Sequence, residues 1–86
     1  MNTELYVSNL AAGVTECELE ALFAKVGTCK SARLILDRET GSSRGFAFIQ
    51  MESSVDARQA RTQLAGQDLR GRALKVDVIV REQRNS

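Results

Sequence analysis

With 86 residues the chain has room for one domain with a modest core, and not for two. A net charge of +1 excludes a protein that grips duplex DNA by charge alone. With no histidine and two cysteines twelve residues apart, no metal-ligand spacing is available either.

No apolar run approaches the ~18–20 residues of a membrane span. The opening Met1-Asn2-Thr3-Glu4 lacks the basic-then-apolar layout of a secretory signal. Cys17 and Cys29 read as ordinary reduced thiols, so a cytoplasmic location is expected. Charge is unevenly spread: residues 1–29 carry four Glu against one Lys, and residues 30–86 carry eleven Lys/Arg against seven Asp/Glu.

In chain order, Glu4 to Ser8 predicts a short strand with Leu5 and Val7 inward and Tyr6 outward. A loop at Ala11-Ala12-Gly13 leads to a marked helix start. Thr15 is the N-cap, Glu18 its capping-box partner, and Val14 is placed to staple against Leu19. Glu16, Glu18 and Glu20 sit where the helix dipole favours them. Leu19, Leu22, Phe23 and Val26 form the buried stripe, which assigns Phe23 to the core, and Gly27 is expected as the C′ stop.

Cys29 to Asp37 predicts a second strand, with Ala32, Leu34 and Leu36 on one face and Arg33 and Ile35 on the other. Residues 38–43 have turn chemistry with a mobile tip. The next strand, Arg44-Gly45-Phe46-Ala47-Phe48-Ile49-Gln50-Met51, alternates with period two. Ala47, Ile49 and Met51 make an aliphatic face, while Phe46, Phe48 and Gln50 make the opposite one. A second helix is expected from Ser53, with Asp56 at the capping-box position, to about Ala65. Its stripe of Ala57, Ala60 and Leu64 is thin, and Arg61 needs its head in water. After a loop from Gly66 to Gly71, a last strand is expected from Arg72 to about Val80. It sets Leu74, Val76 and Val78 against Lys75, Asp77 and Ile79.

The order is β-α-β-β-α-β. Right-handed crossovers put both helices on one face of a four-stranded antiparallel sheet, with the first and third strands central. The expected fold is an α+β ferredoxin-like plait whose other face stays open. On that face Tyr6, Phe46 and Phe48 become neighbours, and an exposed aromatic patch is a binding surface. One domain is expected over residues 1–80, with a frayed polar tail at 81–86.

The octamer Arg44–Met51 resembles the RNP1 motif of the RNA recognition motif family, and Leu5–Leu10 resembles its companion RNP2. The resemblance covers essentially the whole chain and is greatest to the small stand-alone bacterial members. It implies that Tyr6 stacks on one base, Phe48 on the base 3′ to it, and Phe46 against the riboses between them. It further implies that Arg44 pairs with a phosphate and that Gly45 permits close backbone approach. Ile49 and Met51 depart from the family pattern, but both point inward.

Asn9, Arg33, Gln50, Lys75 and Asp77 are candidates for hydrogen bonds to base edges. Ile35 and Ile79 could flank a base or pack at the edge. The expected partner is single-stranded RNA, with single-stranded DNA possible, bound by a monomer capable at most of weak homodimerisation. No cofactor is expected. The same plait hosts enzymes, but no nucleophile–base pair, Cys-x-x-Cys or glycine-rich phosphate loop can be assembled here. The rival reading is a protein-interaction or dimerisation module on the same scaffold.

Overall fold

The computed structural model describes residues 3–79. Val80, at the end of the last predicted strand, and the predicted tail 81–86 lie outside them. Eight elements follow in order: β1 (Glu4–Ser8), α1 (Glu16–Ala24), β2 (Cys29–Leu36), β3 (Ser43–Met51), α2 (Ser54–Leu64), β4 (Asp68–Leu69), β5 (Arg72–Ala73) and β6 (Lys75–Val78). The main sheet is antiparallel in the order β2-β3-β1-β6, with β1 and β3 central, and both helices cover one face. The α+β plait read from the sequence is the fold of the chain.

The core lies where the alternation placed it. Leu5 and Val7 from β1, Ala47, Ile49 and Met51 from β3, and Val76 from β6 meet Leu19, Leu22 and Phe23 of α1 and Ala57, Ala60 and Leu64 of α2. Arg61 stays in water on the outer side of α2.

Helix α1 begins as its sequence dictates. The Thr15 hydroxyl accepts from the Glu18 amide at 3.2 Å, and the Glu18 carboxylate accepts from the Thr15 amide at 3.1 Å. Val14 and Leu19 are both buried, as the staple requires. Glu16 does more than complement the dipole: its carboxylate accepts from the Leu34 amide at 2.8 Å, occupying a donor on the edge strand β2.

Gly27 is not the C′ stop. The helix closes at Ala24 with a right-handed C-cap at Lys25. Gly27 is required for proximity instead: a Cβ there would lie 2.9 Å from the Asp56 Cβ. At α2 only half of the predicted capping box forms. Ser53 accepts from the Asp56 amide, while the Asp56 carboxylate turns to the Thr28 amide at 3.4 Å.

Leu36 lies with Leu34 in the groove beside the start of α1, on the side the alternation assigns to it, but it is 50% exposed and stands at the margin of the core. Beyond Leu34 the register shifts: Leu34 pairs with Ala47, but Leu36 pairs with Ser43, so β3 carries extra residues around Gly45. Gly45 has φ +86°, a left-handed conformation open to glycine at little steric expense, and its carbonyl accepts from the Leu10 amide at 3.0 Å.

The last predicted strand is also interrupted. Residues 72–73 fold back on 68–69 to form a hairpin, and only β6 joins the main sheet. Arg70 and Gly71 both have positive φ, 54° and 88°, which is the pattern of a two-residue type I′ turn. The hairpin is fastened to the domain by an ion pair between Arg70 and Glu18.

That ion pair makes the acid limb of stability predictable. The Glu18 carboxyl is held below the ordinary glutamate range, first by the Arg70 side chain and then by the Thr15 amide. A depressed carboxyl adds stability above its unfolded pKa and loses it as pH falls through the folded value. Urea unfolding of wild type against Glu18→Gln is expected to show a deficit at pH 7 that shrinks steadily below about pH 4.5. A deficit of equal size across that range would contradict the assignment.

Candidate nucleic-acid interface

The face of the sheet away from the helices is a grid of cross-strand rows. Tyr6 pairs directly with Phe48 and Ser8 with Phe46, so the aromatics of β1 and β3 are forced together by register. Ring centroids are 5.6 Å apart for Tyr6–Phe48, 5.7 Å for Tyr6–Phe46 and 6.2 Å for Phe46–Phe48. The rings are tilted or edge-on to one another rather than mutually stacked, and all three residues are only half-buried. Flat apolar area is thus left for a planar ligand.

The middle row runs Arg33, Phe48, Tyr6, Asp77 across the four strands. Arg33 and Asp77 are exposed at its two ends, a cation on the β2 side and an anion on the β6 side. In the row towards the hairpin, Phe46 and Ser8 are followed by exposed Lys75. In the row at the opposite end, Ser31, Gln50 and Glu4 lie side by side, and the Gln50 amide donates to the Thr3 hydroxyl at 3.1 Å. A hollow between Arg33, Phe48, Gln50, Ser31, Glu4 and Ile79 opens there. Ser8, Ser31 and Glu4 escaped the sequence reading, although the same alternation that singled out Tyr6 places Glu4 and Ser8 beside it.

Arg44 is exposed two residues before Phe46, and its charge reaches Asp37 in the turn. The Asp37 carboxylate accepts from the Glu39 and Thr40 amides at 2.8 and 3.1 Å, which holds its pKa below the ordinary range. Lys75, Arg33 and Gln50 are thereby brought to the open face with the aromatics.

Asn9 is different. It has φ +63°, its amide donates to the Ala73 carbonyl at 2.7 Å, and its carbonyl oxygen accepts from Arg72 at 2.5 Å. Both ends of the side chain tie β1 to the hairpin. No local sequence signal gives that role, because the partners lie more than sixty residues away.

Fold and site define a class: a four-stranded plait that keeps one sheet face clear and furnishes it with a cluster of aromatics. The model of the RNA recognition motif matches residues 5–75, and the chain belongs to that family. RbpA of Synechocystis is 42% identical over 73 residues, covering 85% of this chain and 72% of RbpA. The crystal structure of the RNA-binding protein PG1 superposes with a TM-score of 0.87 at 43% identity, covering 95% of this chain and 99% of that one. The complex of the Sex-lethal protein with RNA superposes at 0.88 with 35% identity, covering 96% of this chain and 50% of that one. The chain spans 26–32% of the length of the chloroplast ribonucleoproteins that it also matches.

Proposed function

We propose that the chain binds single-stranded RNA on the open sheet face and serves post-transcriptional regulation. The observation that carries this reading is the Tyr6–Phe46–Phe48 triangle, three rings within 6.2 Å on a surface the helices leave free. Unpaired bases present π-faces, and each base stacked on a fixed aromatic contributes about 1–3 kcal/mol. The similarity to Sex-lethal, whose structure was solved as a complex with RNA, supports the same ligand here.

In this proposal Tyr6 and Phe48 each take a base, and Phe46 packs against the sugars between. Arg44 meets a phosphate through its forked donors. Arg33, Gln50 and Lys75 face base edges or backbone. Asn9 serves as the tie that holds the hairpin against the end of β1. The role is one of binding, not catalysis, performed by a monomer in the cytoplasm, a compartment that suits the free thiols Cys17 and Cys29.

Affinity follows from the number of stacks. Two at the upper end of the range supply ~6 kcal/mol, a dissociation constant of tens of micromolar. Fluorescence anisotropy of a labelled, randomised eight-nucleotide RNA is expected to report binding in the micromolar range. A duplex RNA of equal length is expected to bind far less, since its bases are not free to stack. Equal binding of the duplex, or none of the single strand up to hundreds of micromolar, would overturn the proposal. In the second case sedimentation of the free protein would reveal whether the face is closed by a second copy.

A further inference from the structure

A carboxylate is misplaced on a surface that takes up a polyanion unless a ligand group needs it. Asp77 stands directly across from Tyr6 in the pairing of β1 with β6. It is exposed, and among the described residues no hydrogen bond or ion pair engages it. Adjacent strands lie about 4.8 Å apart, so this carboxylate stands beside the edge of any base resting on the Tyr6 ring.

An ionised carboxylate only accepts hydrogen bonds. Guanine offers it two adjacent, parallel donors, N1–H and the N2 amine. Adenine and cytosine each offer one amine beside a ring nitrogen whose lone pair repels the second oxygen. Uracil offers N3–H flanked by two carbonyl oxygens, both repelled. Only guanine matches both oxygens of the carboxylate.

We propose that Asp77 is a specificity-determining residue that selects guanine for the base stacked on Tyr6. The inference rests on the RNA-binding reading above and names the base it prefers. Asp77 accepts N1–H and one N2 proton in a bidentate, charge-assisted pair, and its charge discourages uracil at the same place. Lys75, the next residue of β6 on this face, offers only donors, so it could meet guanine at O6 or N7 but not at N1–H and the N2 amine.

The test uses five heptaribonucleotides: uridine throughout, with guanosine, inosine, adenosine, cytidine or uridine at the centre. Anisotropy titrations compare wild type, Asp77→Asn and Asp77→Ala, and circular dichroism monitors the fold. Wild type is expected to bind the guanosine RNA about tenfold more tightly than the uridine RNA. Inosine, which keeps N1–H but lacks the N2 amine, is expected between them. Asp77→Ala is expected to bring the five RNAs within about twofold of one another, with the uridine RNA bound at least as well as by wild type. Asp77→Asn, equal in shape and without the charge, is expected to lose most of the preference. Binding without preference for guanosine, or a preference that survives in Asp77→Ala, overturns the inference alone. Failure of wild type to bind any of the RNAs overturns the RNA-binding reading and this inference with it.

Discussion

Tyr6→Ala/Phe48→Ala is expected to remove RNA binding from the measurable range while the domain stays folded. Each lost stack is worth about 1–3 kcal/mol, so the pair lowers affinity by at least about thirtyfold from a starting point of tens of micromolar. Phe48→Ala alone is expected to weaken binding by about 5- to 150-fold, and Phe48→Tyr, which keeps the ring, by much less. Both side chains lie on the open face and neither belongs to the core cluster. Stability therefore falls by only about 1 kcal/mol per ring, the worth of an aromatic pair. Anisotropy and urea unfolding on the same samples separate the two effects. A double variant that binds like wild type would remove the sheet from the account.

Phe23→Ala is expected to do the reverse. Phe23 is fully buried beneath the sheet, against Leu19 and Leu22 of its own helix and the inward residues of β1 and β3. Removing a buried phenyl ring costs about 3–5 kcal/mol, a large part of the roughly 5–15 kcal/mol that holds such a domain together. The urea midpoint is expected to fall by about 2 M or more, or the chain to be largely unfolded in water. Where enough folded protein remains, its affinity per folded molecule is expected to match wild type. A midpoint shift below about 0.5 M would contradict the assignment of Phe23 to the core.

These two phenylalanines, one in the core and one on the open face, were already distinguishable in the sequence. Phe23 falls on a period of 3.6 with Leu19, Leu22 and Val26, whereas Phe48 alternates against Ala47 and Ile49. Periodicity alone assigns them to opposite sides of the sheet. Cap residues were equally legible at α1, because Thr15, Glu18, Val14 and Leu19 interact over a few positions.

What could not be read depended on distant partners or on shifts of register. Gly45 in a strand is a bulge signal, but nothing local says that the pairing jumps from Leu34–Ala47 to Leu36–Ser43. Gly27 has a helix-stop position and a different task, set by Asp56 on the other helix. Asn9 looks like a free polar side chain until the hairpin from residues 68–73 is folded against it. The Arg70-Gly71 turn was the nearest to being legible, since two residues between short strands suit a type I′ hairpin, yet arginine is not among the residues that announce it.

The central claim is that RNA lies across β1 and β3, and amide chemical-shift mapping tests it most directly. Nitrogen-15-labelled protein would be titrated with an unlabelled eight-nucleotide RNA. The account predicts the largest shifts at Tyr6, Ser8, Phe46 and Phe48, with smaller ones at Arg33, Lys75 and Asp77. Shifts confined to the outer face of α2, around Val55, Arg58 and Thr62, with the sheet unmoved, would contradict it.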